Sequence, residues 1–123
     1  MREGGLNAPW LFHNPPQPVI ALLNGAAVGL GAELVLSADI RIASSKGRLN
    51  WVFARRGLIP DTGAGTWLLP RLVGTSKALE IMFSARMIGA EEAMRLGLVS
   101  EVVEPDKLAE RGRALAAEIA SAS

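Results

Sequence analysis

The sequence predicts an α/β fold, and three observations carry that expectation. Short apolar runs alternate with segments of helix-forming composition, as where Pro18-Val-Ile-Ala-Leu-Leu-Asn24 precedes Ala32-Glu-Leu-Val-Leu-Ser-Ala38. Glycine-punctuated turns separate the two kinds of segment. The 123 residues are half apolar and one-fifth charged, which suits one packed core and is too little for two.

Taken in order, residues 1–17 hold Gly4, Gly5, Pro9, Pro15 and Pro16 without periodicity and read as an irregular arm. Residues 18–24 suit a strand buried on both faces. A turn follows over Gly25-Ala-Ala-Val-Gly-Leu-Gly31, then a helix over 32–38 and an alternating strand over 39–44. Residues 45–48 form a turn, and 49–53 fit a short strand or the approach to a helical turn. Residues 57–65 form a loop. Two short helices, 66–73 and 75–84, break at Gly74, with Thr75 as N-cap of the second and Leu79, Met82 and Phe83 as one face. A helix over 90–96 stops at Gly97, and 98–103 is a strand. The last helix opens at Glu104-Pro105, with proline at its first position, and carries an apolar stripe of Leu108, Leu115 and Ile119.

Composition removes several classes of function. A net charge of +1 offers no basic excess for nucleic acid, and Arg55 and Arg56 beside Trp51 and Phe53 read as a solvated face. The absence of cysteine removes disulfides and thiolate metal sites, and His13 is the only histidine, so no metal is expected. No apolar run reaches the roughly 18 residues of a membrane span, and no signal-peptide core follows Met1. A soluble, cytoplasmic chain is the expectation.

Three features could carry chemistry, and each has a second reading. Glu33 is either a solvated first-turn glutamate or an acid held in an apolar pocket for proton transfer. Gly29 and Gly31 either serve tight packing or let a ligand approach free helix amides, where a developing oxyanion would be stabilised. Asp61, in Pro60-Asp61-Thr62-Gly63, is either an N-cap or turn former or the one acid available to an uncharged loop. A dinucleotide fingerprint lacks its third glycine and its acidic residue near 49–53, and no Gly-Lys-Ser or Gly-Lys-Thr marks a phosphate loop.

Together the stretch from Pro18 to Ala43, the stretch from Gly57 to Gly74, and Ala90-Glu-Glu-Ala-Met-Arg-Leu-Gly-Leu-Val-Ser-Glu-Val-Val103 resemble the crotonase (enoyl-CoA hydratase/isomerase) superfamily. Segment 57–74 is similar to the ring-opening isomerases of phenylacetyl-CoA degradation. The resemblance implies a ββα superhelix of which residues 18–123 form the central and C-terminal part, the N-terminal half and the closing helices being absent. It implies that the Leu30 backbone N–H belongs to an oxyanion hole for a thioester enolate. Glu33 falls on the family's first catalytic glutamate and Phe53 on the second, which phenylalanine cannot replace. Asp61 falls where several isomerases carry an acid. Val28, Gly29, Phe53 and Arg56 would line the substrate.

The resemblance further implies an acyl-CoA thioester as substrate, no cofactor beyond its coenzyme A, and assembly as a homotrimer or hexamer, without nucleic acid or membrane. The family's second oxyanion amide comes from an N-terminal loop with no counterpart here, and its loss would cost about two to three orders of magnitude in rate. A non-catalytic oligomerisation module and a truncated reading frame are the competing expectations. Double-bond isomerisation asks less of the remaining acids than hydration does.

Overall fold

The computed structural model describes residues 15–60 and 64–122. The chain runs β1 (Ile20–Leu23), β2 (Ala26–Val28), α1 (Leu30–Ser37), β3 (Ile40–Ser44) and β4 (Arg48–Asn50), then a 3-10 turn (Val52–Arg56). It continues α2 (Ala64–Val73), α3 (Thr75–Ser84), β5 (Ile88–Gly89), α4 (Ala90–Arg95), β6 (Glu101–Val103) and α5 (Leu108–Ser121).

The strands form two three-stranded sheets, β1-β3-β6 and β2-β4-β5. The first is wholly parallel, with Ile20 opposite Ile40 and Ile42 opposite Glu101. In the second, β2 and β4 are parallel, with Ala26 opposite Arg48, and β4 and β5 antiparallel. The chain twice steps from the first sheet into the second, after Leu23 and after Ser44. The steps are tied together where the Arg48 amide donates to the Gly25 carbonyl at 2.9 Å and the Ser44 hydroxyl to the Asn24 carbonyl at 3.3 Å. Parallel neighbours need a crossover, and α1 supplies it. The repeating unit is therefore strand, strand, helix, which is the ββα superhelix that the resemblance implies.

The main core lies between the second sheet, one face of the first, and α1 to α4. Leu36, Leu49, Trp51, Leu69, Ile81, Ile88 and Leu98 are buried in it. The other face of the first sheet is covered by α5, with Ile42 and Leu108 buried outside that cluster. The partner of the α5 stripe is thus the β1–β3 surface, where Leu115 and Ile119 are half-buried.

Several expectations change. Residues 18–24 yield only β1, which is an edge strand and leaves Leu22 41% exposed rather than buried on both faces. The stretch expected to be one glycine turn contains β2, and β5 was not anticipated; strands of three and two residues are too short for alternation to be legible. Gly74, at φ 80° and ψ 157°, caps α3 in place of Thr75, and no side chain caps it. The buried face of α3 is Ala78, Ile81 and Met82; Leu79 is exposed, and Phe83 is 73% exposed. Helix α5 begins at Leu108 after a turn, so Pro105 precedes it. Residues 1–14, including most of the expected arm, lie outside the described residues.

Arg41 locks α1 onto the first sheet. Its Nη1 donates to the Ala38 carbonyl at 2.6 Å and the Leu36 carbonyl at 3.3 Å, and its Nε to the Leu98 carbonyl at 2.7 Å. A cation at a helix C-terminus satisfies carbonyls that have no intrahelical partner. Burial lowers its pKa, and the neighbouring Asp39 opposes that shift. Arg41→Ala should cost about 2–3 kcal/mol, the scale of hydrogen bonds to a charged group, read as a lower urea midpoint at unchanged slope. Arg41→Lys should recover little, because a point charge cannot reproduce the forked donors.

Candidate functional site

The site is built at the β2–α1 junction. Strand β2 pairs with β4, setting Val28 opposite Asn50, and the Gly29 amide donates to the Asn50 carbonyl at 2.8 Å. Gly29 adopts φ 57° and ψ −120°, backbone that L side chains rarely enter. That turn delivers the chain into α1, and the Glu33 amide closes the first turn by donating to the Gly29 carbonyl at 3.2 Å. No backbone carbonyl among the described residues takes the Leu30 amide. The side chains of Val28 and Leu30 are exposed on either side of this mouth, while Gly29 is buried.

The 3-10 turn forms its wall. A Cβ placed on Gly29 would lie 3.6 Å from Val52 Cγ1 and 4.0 Å from Phe53 Cζ, which puts both side chains against the turn. Phe53 is buried and Arg56, three residues on, is exposed, so the pair does not share one environment. Arg56 makes no ion pair among the described residues. Asp61 lies outside the described residues; Pro60 and α2 flank its loop.

Glu33 is fully buried, at 0% exposure, and both carboxylate oxygens are engaged. Oε1 accepts the indole N–H of Trp51 at 2.8 Å, and Oε2 accepts the backbone N–H of Gly65 in a short hydrogen bond. Trp51, at the end of β4, is itself fully buried, and its N–H needs a partner there. Gly65 sits in the first turn of α2, where a Cβ would overlap Glu33 Oε1 and stand 2.7 Å from Trp51 Nε1. Three elements meet on one carboxylate. The solvated reading of Glu33 is therefore replaced by an interior acid with donors of its own.

Sequence reasoning found Glu33, Gly29 and Leu30 but missed Trp51 and Gly65. The signals were present: a tryptophan in an apolar stretch must place its N–H, and Gly65 recurs in Gly63-Ala64-Gly65.

This fold, two short-stranded sheets wound with α1 at a glycine turn, is that of the crotonase class. The chain belongs to the enoyl-CoA hydratase/isomerase family, whose model matches residues 3–123. It is 48% identical over 109 residues to a probable enoyl-CoA hydratase of Rhodobacter capsulatus, covering 89% of this chain and 42% of that one. It is 39% identical over 118 residues to the 1,2-epoxyphenylacetyl-CoA isomerase of Escherichia coli, covering 89% and 45%. The crystal structure of an enoyl-CoA hydratase from Bacillus anthracis superposes with a TM-score of 0.88 at 42% identity, over 92% of this chain and 43% of that one. The chain thus spans less than half the length of these relatives.

The contact between α2 and Glu33 is open to a direct check. Gly65→Ala should destabilise the fold by about 1–3 kcal/mol through overpacking, measured as a lower thermal midpoint, and should release Trp51 from its buried environment as a shift in its fluorescence.

Proposed function

We propose that this chain carries the enolate-stabilising part of an acyl-CoA enzyme that hydrates or isomerises a double bond beside the thioester. The observation that supports it most is the Leu30 amide, placed at an exposed helix mouth by a Gly29 peptide that β4 holds rigid. Such a donor, aimed where an oxygen turns negative, is worth about 3 kcal/mol in the transition state. Family membership supplies the substrate class, since the named relatives act on coenzyme A thioesters.

In this reading the acyl thioester lies across Val28, Gly29 and Leu30, with Phe53 behind them and Arg56 at the solvent edge. A carboxylate removes a proton from C2 and the electron pair moves onto the thioester oxygen, which the Leu30 N–H receives. Collapse of the enolate returns a proton to C4, and the double bond has moved. Asp61 is the proton carrier. No cofactor is needed, because the thioester itself is the electron sink. A cytoplasmic setting belongs to the same reading, and no described helix is long and apolar enough to cross a membrane.

A second reading, an oligomerisation module, is favoured by one observation. Leu72, Leu79, Phe83, Met87 and Met94 are exposed. Assembly as a trimer or hexamer is compatible with catalysis and is part of the proposal.

The test is exchange of the C2 protons of butyryl-CoA in deuterated buffer, followed by proton NMR. The chain should catalyse exchange, and Asp61→Asn should slow it about 10²–10⁴-fold. No exchange by the unaltered chain, or an unchanged rate for Asp61→Asn, overturns the reading.

A further inference from the structure

We infer that Glu33 acts as a positioning residue: its buried carboxylate ties the first turn of α1 to the first turn of α2 through Trp51. This inference rests on the proposed function for its catalytic meaning, because what the tie would position are the Leu30 amide and the loop that carries Asp61.

The geometry carries it in three steps. First, Glu33 is joined to the mouth twice over. Its backbone N–H holds the Gly29 carbonyl, and its side chain leaves the same turn for the interior. Any displacement of the carboxylate therefore acts on the peptide that presents Leu30. Second, the two oxygens are divided between two elements: Trp51 Nε1 at the end of β4 takes one and the Gly65 amide of α2 takes the other. Gly65 lies four residues beyond Asp61, so the anchor of α2 is also the downstream anchor of the acid's loop.

Third, the site leaves this carboxyl little scope as a proton carrier. It has no exposed surface, and the missing Cβ of Gly65 is filled by its own oxygen. Taking up a proton would turn an O–H toward a position occupied by an N–H donor. A group that hands protons to a substrate must reach it and change its hydrogen-bonding partners in each cycle; this one is packed on all sides. Trp51 completes the argument, since a fully buried indole spends its only donor here.

The experiment uses the full chain and three variants, Glu33→Gln, Trp51→Phe and the double variant, with two readouts. Trp51→Phe keeps an apolar ring in the core and guards against simple unfolding. The first readout is independent of turnover: the amide resonances of Leu30 and Gly65 in ¹H–¹⁵N spectra. Both singles should move both resonances, because glutamine presents an NH₂ to one donor and phenylalanine removes the other. The second is C2 proton exchange against pH. Each single should lower kcat up to about 10²-fold at unchanged KM, as expected for a misplacement near 1 Å, and keep the shape of the pH profile. The double should lose little more than the worse single, because both break one tie.

A static Leu30 resonance in either single overturns the inference. So does loss of one limb of the pH profile in Glu33→Gln while Trp51→Phe keeps its full rate; Glu33 would then be the proton carrier. If the unaltered chain exchanges no C2 proton, the proposed function fails, and the spectra still decide whether the tie sets the mouth.

Discussion

The arrangement depends on one interior carboxylate. Burying a charged group costs several kcal/mol unless donors replace its water, and here the replacements come from the end of β4 and the start of α2. Removing either donor leaves part of the charge uncompensated, so the three elements are constrained together. This explains two residue choices that packing alone would not. Position 65 must lack a side chain, and position 51 needs a large apolar body with a single N–H at its rim.

The superhelix makes this meeting possible. Because the chain leaves the first sheet and enters the second after Leu23 and again after Ser44, β2 and β4 lie side by side, and their C-terminal ends deliver Gly29 and Trp51 to the same place. The Gly29–Asn50 hydrogen bond and the Glu33–Trp51 hydrogen bond are consecutive stitches across that pair. Helix α1 starts between them. Its free amide is thus set by sheet register, which is stiffer than a loop. On the far side, Arg41 fastens the other end of α1 to carbonyls of its own C-terminus and of Leu98. A helix of eight residues is too short to be stable alone, and here it is held at both ends.

Much of the fold was legible because the longer elements have one reading each. Helix α3 over Thr75–Ser84, the break at Gly74 and the strand preceding Ser45 follow from propensity and punctuation. What escaped were elements whose identity is decided by neighbours. Strand β2 is three residues, Ala26–Val28, inside a glycine-rich stretch, and exists because β4 offers it a partner. The face of α3 was misjudged because Leu79, Met82 and Phe83 satisfy helical periodicity, yet Ala78 and Ile81 are the side chains that meet the core. Periodicity locates an apolar stripe but not which stripe is covered. At the site, Glu33 was legible as a residue and its environment was not. Two of its three neighbours in the cluster are 18 and 32 positions away, and no local pattern encodes contacts of that range.

The same geometry bears on which reaction the proposed function would favour. Adding water across a double bond in one face-selective step wants two mobile acids, one to take a proton from water and one to deliver a proton to carbon. At the position where the resemblance places the second of these stands Phe53, buried against Gly29, which can shape a pocket and exclude water but cannot carry a proton. Glu33 is enclosed by its donors. One acid then remains, on the loop ahead of α2, and a single carboxylate can collect a proton at C2 and release it at C4 without needing water to attack. Under the proposed function, a dry aromatic wall, a fixed amide and one acid on an adjoining loop favour moving a double bond over hydrating it.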